Sequence, residues 1–303
     1  MATYKEIHGT SIEVLASDPS NPVLGQIWYN TTSQTLKGLE FGAAAWSSGG
    51  NLSATVYGNA GAGTQTAALS MGGHPGGRTA TEEYNGTAWT AGGALGTGRQ
   101  NAGACGTQTA GLIFGGQNPT ASPDTIANTE EYNGTSWTAG GDLPTTKRGN
   151  AGAGTQTAGL SFGGTTPPGD SDVTNEYNGT SWTAGGVMTN GRFYLAGAGI
   201  QTAALAIAGS GPSNKTEEYN GSSWTNGGNL NTGRRHLAAA GITTAALAFG
   251  GDTPPSGTPG STPTEQYNGS TWTNTTSMSV ARFSFGGAGI QTAALAFGGQ
   301  GPP

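Results

Sequence analysis

Five cations recur at one position of a repeated sequence and are the residues best placed to do chemistry. Each stands seven residues before a regularly spaced glycine, and the first copy has Val56 instead; the cations are Arg99, Lys147, Arg192, Arg234 and Arg282. A ring of cations would bind an anionic group such as an acidic sugar. Alternatively, they pair with a second repeated row or hydrogen-bond loop carbonyls, and so fasten neighbouring repeats. That row is Glu40, Glu83, Glu131, Glu176, Glu218 and Gln266. Regular placement favours fastening, because a binding site usually breaks symmetry.

The remaining reactive residues do not form a recognisable catalytic or metal-binding pattern. His74, His236 and Cys105 are isolated and lack the spacing of metal ligands, so we expect surface or packing roles. Paired glutamates such as Glu130-Glu131 cannot share a site, because neighbours on a strand face opposite sides. No Ser-His-Asp grouping, phosphate-binding loop or dinucleotide fingerprint is present. The sequence therefore predicts a protein that is not an enzyme and has no cofactor and no metal.

Regular spacing shows how these residues are positioned. An aromatic residue precedes a Trp by 5, that Trp precedes a turn glycine by 17, and the glycine precedes the end of a Gly-Gly position by 10, in all six copies. Only the spacing from the Gly-Gly position to the next aromatic residue varies, from 10 to 16 residues. One copy divides into four strands, a to d: Asn101–Cys105, Thr109–Phe114, Thr129–Tyr132 and Thr135–Thr138. Four short antiparallel strands per repeat are typical of a propeller blade.

Turn chemistry and side-chain size support this division. Asn133-Gly134 and its equivalents are predicted to be two-residue hairpin turns, although N-G-[ST] is also a formal glycosylation signal. The small residues of strand a suit the crowded axis, and Tyr132 and Trp137 suit the wider outer part of a blade. The chain starts with a c–d pair, Leu39–Ser47, and ends with an a–b pair, Ser284–Gly299. Joining them would give an all-β, six-bladed propeller over 39–303 without open sheet edges.

The repeat resembles kelch repeats over residues 39–299. The matching features are Gly163-Gly164, Tyr177, Trp182 and Arg192, and their equivalents recur in other copies. This resemblance implies a β-propeller, and most kelch proteins are binding modules. Some copper oxidases share the fold, but this sequence has no match to their copper site. The phrase YNGTSWT is also faintly similar to the Asp-box of sialidases, without its Asp.

Residues 1–38 lie outside the repeat and form a predicted attachment segment. We expect one strand before residue 18, a turn over Asp18–Gly25, and a hairpin of Gln26–Asn30 and Thr35–Phe41 with a four-residue loop. The phrase DPSNP…GQIWYNTTSQTLKG resembles N-terminal segments of tailed-bacteriophage virion proteins, especially tail fibres. This resemblance implies a virion protein that joins other virion proteins through residues 1–38.

Composition agrees with these expectations. The chain has 303 residues, 57 of them Gly, and a net charge of −6, which gives no reason to expect nucleic-acid binding. We find no signal peptide and no apolar run that could insert in a membrane. The expected location is therefore the virion, after synthesis in the host cytoplasm.

Variable loops point to one binding face. In a four-stranded meander, the b–c loops and d–a links lie on the same face, here called the b–c face. The predicted contacts to a host receptor or glycan are the loops Gln117–Thr129 and Asp252–Glu265, with the cations as secondary contacts. Polar loop residues complete the candidate set: Asn118, Asp124, Asp170 and Asp252. The alternatives are idle loops, a structural decoration or extracellular assembly subunit without a receptor, and a carbohydrate-active enzyme.

Overall fold

The computed structural model describes residues 13–17, 27–38, 45–166, 169–211, 213–253 and 260–301. The chain divides into two compact units, Met1–Ala45 and Trp46–Pro303. The predicted domain boundary after residue 38 borders residues 39–44, which lie outside the described residues, so this boundary stays a prediction. No helix among the described residues is long and apolar enough to cross a membrane.

The first unit contains a small three-stranded sheet. Its strands are β1 (Glu13–Leu15), β2 (Ile27–Asn30) and β3 (Thr35–Gly38). β2 and β3 are antiparallel and enclose residues 31–34, which confirms the predicted hairpin and its four-residue loop. β1 confirms the strand expected before residue 18, and it pairs with β2 in parallel. The predicted turn over Asp18–Gly25 lies outside the described residues.

The second unit is built from antiparallel sheets that follow the order a–b–c–d. Blade 1 comprises β4 (Ala60–Gly63), β5 (Ala68–Met71), β6 (Thr81–Tyr84) and β7 (Trp89–Ala91). Blade 2 comprises β8 (Gly103–Thr107), β9 (Ala110–Phe114), β10 (Thr129–Tyr132) and β11 (Trp137–Ala139). Blade 3 comprises β12 (Ala151–Gly154), β13 (Gly159–Phe162), β16 (Thr174–Tyr177) and β17 (Trp182–Ala184), with β14 (Thr165–Thr166) and β15 (Gly169–Asp170) forming a ribbon in its b–c loop.

The last sheets continue the same order. Blade 4 comprises β18 (Ala196–Ile200), β19 (Ala203–Ile207), β20 (Thr216–Tyr219) and β21 (Trp224–Asn226). Blade 5 comprises β22 (Ala238–Ile242), β23 (Ala245–Phe249), β24 (Thr264–Tyr267) and β25 (Trp272–Thr275). The C-terminal hairpin consists of β26 (Gly286–Ile290) and β27 (Ala293–Phe297), paired as a two-stranded sheet.

The unit is an all-β propeller with four-stranded antiparallel blades, as the sequence predicts. The described residues form five such blades and one two-stranded hairpin, whereas the sequence predicts six blades. The outer strands predicted to complete the last blade fall within Leu39–Ser47. Residues 39–44 of that stretch lie outside the described residues, and residues 45–47 are described without a strand. The described strands therefore give a blade count of five.

Small residues let the inner strands approach one another closely. A Cβ atom added to Gly152 would lie 2.3 Å from the carbonyl oxygen of Ala104 in blade 2. A Cβ atom on Gly197 would lie 2.4 Å from the carbonyl oxygen of Gly152. Both distances are far shorter than any real contact, so a side chain here would push neighbouring blades apart. This confirms the expectation that strand a is small because the axis is crowded.

The c–d turn differs from the predicted two-residue turn. Tyr132 pairs with Trp137, so the loop contains four residues, 133–136. The side-chain Oδ1 of Asn133 accepts hydrogen bonds from the amides of Thr135 and Ser136 at 3.0 and 2.9 Å. Gly134 alone of the first two loop residues has a positive φ, of 88°. An Asn side chain that caps the loop replaces the second left-handed residue that a two-residue turn requires.

Aromatic rings join adjacent blades in the outer part. Trp182 of blade 3 packs against Phe114 of blade 2 with ring centroids 4.8 Å apart. It also stacks on Tyr177 of its own blade at 4.9 Å. Its indole N–H donates to the Thr129 hydroxyl of blade 2 at 2.9 Å, so the buried polar atom has a partner. The predicted role of the Tyr and Trp pair in blade-to-blade packing is confirmed.

Candidate binding site at the axial mouth

Four of the five recurring cations are buried inside the blades. Arg99, Lys147 and Arg234 have no exposed surface, and Arg192 is 3% exposed. The guanidinium of Arg234 donates to the carbonyls of Gly250 and Pro263 at 2.9 and 2.6 Å. Its Nη2 atom lies 2.9 Å from Glu265. Side chains so enclosed cannot contact a partner directly, so their geometry supports the fastening interpretation.

The carboxylate partners of the arginines are not those that the sequence suggested. Arg99 pairs with Glu130 at 2.5 Å, whereas the predicted partner row contains its neighbour Glu131. Glu131 instead accepts a hydrogen bond from the Tyr177 hydroxyl of blade 3 at 2.6 Å. The two neighbours face opposite sides of β10, as expected for a strand. Glu130 therefore stabilises its own blade, and Glu131 binds the adjacent blade.

Both carboxylate rows recur. The ion pairs are Arg99–Glu130, Arg192–Glu217 and Arg234–Glu265. The hydroxyl-to-carboxylate bonds between blades are Tyr132–Glu83, Tyr177–Glu131, Tyr219–Glu176 and Tyr267–Glu218. Burial, together with the bond to the carboxylate, raises the pKa of Tyr177 to about 12.

Two copies depart from the arginine–glutamate pattern. In blade 3, Lys147 donates to the side-chain oxygen of Asn175 at 3.2 Å and to the carbonyl of Val173 at 3.3 Å. Burial lowers the pKa of Lys147 to about 8. Arg282 is half-buried and donates to the Gly298 carbonyl at 2.9 Å, without a carboxylate partner among the described residues. A direct contact between Arg282 and a partner therefore stays a prediction.

Two residues beyond each cation position, the backbone forms a closed ring of hydrogen bonds, here called the axial ring. Its members are Gly58, Asn101, Gly149, Tyr194, His236 and Ser284. The amide of each donates to the carbonyl of the neighbouring member over 2.6 to 3.0 Å, and the amide of Gly58 closes the cycle on Ser284. All six have a positive φ, between 52° and 63°. The ring lies where the strands a begin, on the b–c face.

An open pocket of about 90 Å³ is lined by the axial ring. Besides the ring, its walls contain Asn59, Ala102, Asn150, Leu195, Leu237 and Phe285. The Oδ1 atoms of Asn59 and Asn150 are buried and accept no hydrogen bond from the described residues. Their Nδ2 atoms donate to the hydroxyls of Ser70 and Ser161. Both oxygens have almost no accessible surface, so they lie behind the wall and do not face the pocket.

One side of the mouth is aromatic and carries a bonded group of Arg235, His236 and Asp252. The rings of Tyr194 and His236 lie 3.8 Å apart, and Phe283 meets His236 edge-on at 6.0 Å. The Nδ1 atom of His236 lies 2.7 Å from Asp252, and the Nε atom of Arg235 lies 3.1 Å from the other Asp252 oxygen. Burial raises the pKa of Asp252, but the bonds from His236 and Arg235 outweigh burial and leave it below its usual value.

The other side of the mouth carries amides. Its side chains are linked in the order His74, Gln100, Gln117, Asp124 and Arg148. The distances along this chain are 3.0, 3.1, 2.5 and 3.6 Å. The bond from Gln117 is the main cause of a lowered pKa at Asp124. The rim therefore carries two polar networks, and its side chains differ from blade to blade.

Two of the four predicted loop residues, Asp124 and Asp252, belong to this rim. Asp170 accepts a hydrogen bond from the Ser210 hydroxyl at 2.7 Å. Asn118 is turned inward on its own loop, where it accepts bonds from the amide and hydroxyl of Thr120. The loop Gln117–Thr129 is described throughout, whereas residues 254–259 of the loop Asp252–Glu265 lie outside the described residues.

The ring residues Asn101, Tyr194, His236 and Ser284 were not among the predicted contacts. Their signal in the sequence is a position that does not repeat within a repeating frame: two residues after the cation stand Gly, Asn, Gly, Tyr, His and Ser. His236 was expected to have a surface or packing role, and it packs against Tyr194 at the mouth. Cys105 is buried, which raises its pKa to about 12, so its thiol stays protonated.

Among the described residues, no group of three His, Cys, Asp or Glu side chains is placed to hold a metal ion. No protein-family model matches the chain, and no curated protein sequence matches it. A solved structure titled "Structure of YjhT" superimposes with a TM-score of 0.69 at 15% identity, over 83% of this chain and 92% of that chain. Identity this low supports the β-propeller fold alone.

Replacing Arg234 with Met tests the fastening role. The variant should lose about 3 kcal/mol of unfolding free energy, because Glu265 is left buried without its charge partner. The control is Arg235→Met on the half-buried rim, expected to lose less than about 1 kcal/mol. Arg234→Lys combined with Glu265→Asn, which copies the pair of blade 3, should recover part of the loss. Equal losses for both single variants in urea unfolding would contradict the fastening role.

Burial of Lys147 should make stability depend on pH. The unfolded chain keeps the lysine proton up to its ordinary pKa of 10.5, whereas the folded protein releases it near 8. Since the unfolded state then binds more protons, stability should rise with pH in this range. From about pH 7 to pH 9, the wild-type protein should gain about 1 kcal/mol relative to Lys147→Met. The free energy of unfolding is measured in denaturant across this pH range. If it changes with pH equally in the two proteins, Lys147 does not titrate in this way.

Proposed function

We propose that this chain is a non-enzymatic binding propeller of a tailed-bacteriophage virion, a tail fibre or another surface-exposed component. The propeller recognises a host receptor or glycan through its b–c face. The observation that carries this proposal is the axial mouth, where six equivalent backbone positions present unlike side chains. The N-terminal phrase that resembles phage tail proteins supports the virion setting, with residues 1–38 as the attachment segment.

The contrast between positions supports a recognition role for the mouth. Positions with structural duties repeat their side chains, as the pairs Arg192–Glu217 and Arg234–Glu265 do. At the mouth, Tyr194 and His236 replace the glycines of equivalent positions in other blades. Packing and closure alone do not require this variation, whereas binding of an asymmetric partner does.

We also propose that the propeller has six kelch-like blades, the last formed by the C-terminal hairpin and outer strands within residues 39–47. Several contacts within the second unit support this arrangement. β26 lies against both β22 and β4. Trp46 packs on Phe249 at 5.1 Å, much as Trp224 packs on Phe162 at 5.0 Å. The side chain of Gln65 donates to the Ala294 carbonyl, as Gln108 does to that of Ala68.

Two truncations test the sixth blade. Removal of residues 1–38 should leave the melting temperature of the propeller nearly unchanged. Removal of residues 1–44 takes away the proposed third strand but keeps Trp46, and it should lower the melting temperature by roughly 10 °C. The reason is that the C-terminal hairpin would then lack the strand that pairs with it and expose an edge. Melting temperatures of the two proteins within about 2 °C of each other would exclude this closure.

Binding to bacterial surfaces tests the recognition role. The labelled full-length chain is applied to a panel of bacterial strains and to their purified surface polysaccharides. The double variant Tyr194→Gly/His236→Gly should lose at least tenfold in affinity, and glycine suits both positions because Gly58 and Gly149 occupy equivalent ones. The matched control is Ile200→Thr/Ile242→Thr on the opposite face, where equivalent turns carry Thr.

The outcomes separate the candidate functions. Undiminished binding by the double variant would move the site away from the axial mouth. Shortening of a bound polysaccharide during incubation would favour the carbohydrate-active enzyme instead. A non-enzymatic receptor-binding propeller should leave the chain lengths of the bound polysaccharide unchanged over hours. Only the double variant at the mouth should then lose binding.

A structural subunit is the second candidate, and one observation favours it. Ile200, Ile242 and Ile290 are 51%, 52% and 55% exposed at the a–b turns of blade 4, blade 5 and the C-terminal hairpin. These turns lie side by side, because β18, β22 and β26 are neighbours. The equivalent turns of blades 1 to 3 carry Thr. A one-sided apolar patch fits contact with a neighbouring virion protein.

A further inference from the structure

We infer that Asn190 undergoes spontaneous deamidation and that its conversion loosens the entry to blade 4. The reaction needs only water, so it is independent of what the propeller binds. Asn190 precedes Gly191 in the link between β17 and β18, and both residues are exposed. Asn-Gly pairs are prone to this reaction, because glycine has no Cβ atom to hinder attack by its amide nitrogen.

The reaction takes place within the pair itself. The backbone nitrogen of Gly191 loses its proton and attacks the side-chain carbonyl carbon of Asn190. The new N–C bond replaces the bond to the side-chain amide nitrogen, which leaves as ammonia. Water then opens the resulting cyclic imide at either carbonyl. Opening at the side-chain carbonyl gives Asp, and opening at the main-chain carbonyl gives isoaspartate, whose main chain runs through the side-chain carbons.

Seven Asn-Gly pairs occur in the chain, and the structure separates Asn190 from the others. Five of them open the c–d loops, where the side-chain oxygen of each Asn accepts hydrogen bonds from two backbone amides at 2.9 to 3.0 Å. Attack on such a side chain first requires both hydrogen bonds to break. These capped residues are Asn85, Asn133, Asn178, Asn220 and Asn268.

The sixth pair is held by its backbone. Asn226 ends β21, and the amide of Gly227 donates to the Thr216 carbonyl at 2.9 Å. The attacking nitrogen of this pair is therefore occupied. Within the described residues, neither the Asn190 side chain nor the Gly191 amide makes a hydrogen bond. In the Asn190 pair, both reacting groups are thus exposed and free.

Packing requires the glycine of this pair, whereas the repeat does not require the asparagine. A Cβ atom on Gly191 would lie 2.8 Å from the carbonyl oxygen of Asp170, so a side chain there would push the b–c loop of blade 3 away. Asn190 stands two residues before the recurring cation, where three other copies have Thr. Those residues are Thr97, Thr145 and Thr232. Replacing Asn190 with Thr therefore copies other blades and removes the reacting amide.

Conversion would disturb the fastening of blade 4. Glu217 accepts hydrogen bonds from the Thr189 amide at 2.7 Å and from the Arg192 guanidinium at 2.9 Å. These two donors lie on either side of residue 190. Isoaspartate lengthens the main chain by one carbon between them, so the two bonds cannot both keep their present geometry. The reaction also adds a negative charge near the b–c loop of blade 3, which carries Asp170.

Ageing of the full-length chain in mildly alkaline buffer tests the site. Proteolytic fragments are analysed by mass spectrometry over several days, and isoaspartate is separated from Asp by chromatography against synthetic peptides. The fragment with Asn190 should convert roughly tenfold faster than those with the capped asparagines, because two hydrogen bonds protect each of the latter. In the chain unfolded by guanidinium, this difference should disappear. Equal rates for all seven pairs in the folded chain, or faster conversion in the c–d loops, would overturn the inference.

The variant Asn190→Thr tests the effect on blade 4. Fully converted wild-type protein should melt roughly 3 °C lower than fresh protein, whereas Asn190→Thr should keep its melting temperature through the same ageing. Fresh Asn190→Asp adds the charge without lengthening the main chain, so it should lose less than the converted wild type. Circular dichroism of the fresh variants shows whether their fold is intact. If wild type and Asn190→Thr lose stability equally on ageing, conversion does not loosen blade 4.

Discussion

Close approach of the inner strands around one axis is the constraint on which the rest of this structure depends. At Gly152 and Gly197 there is no room for a Cβ atom between neighbouring strands. Strands this close must satisfy their backbone polar groups without help from side chains or a wide channel. The axial ring does so at one end, because each amide finds the carbonyl of the next member. Blades arranged around so narrow an axis diverge outward, and larger side chains fill the widening gaps.

Those gaps are held by few charges, and the buried Arg99, Arg192 and Arg234 each have a carboxylate partner. Only 9% of the residues are charged, yet adjacent glutamates on one strand perform two different tasks. Glu130 neutralises a buried arginine, and it also accepts bonds from the amides of Gly96 and Thr97 in the link that enters the blade. Glu131 bonds the next blade. Where blade 3 replaces the arginine with Lys147, the carboxylate becomes Asn175, so the pair changes together and no unpaired carboxylate is buried.

The sequence predicts the regular parts of this molecule well, because period and strand length are local properties. The strand Thr129–Tyr132 was predicted with its observed bounds. The Asn133 turn was predicted wrongly, because an Asn-Gly pair fits a two-residue turn as well as a four-residue loop that the Asn side chain caps. The cations were predicted at the entry to strand a, where they lie, but a sequence does not show which way a side chain points there. Arg99 turns inward, and Asn101, two residues later, reaches the mouth.

The axial ring also explains why its side chains are free to differ. Its structural work is done by amides and carbonyls, so any residue that tolerates a left-handed backbone can stand there. Glycine does so without strain at Gly58 and Gly149, whereas a side chain in this conformation costs on the order of 1 kcal/mol. Tyr194 and His236 accept that cost although glycine would keep the ring intact. Strained aromatic residues where glycine would also fit are therefore the feature of the axial ring on which the proposed recognition role rests.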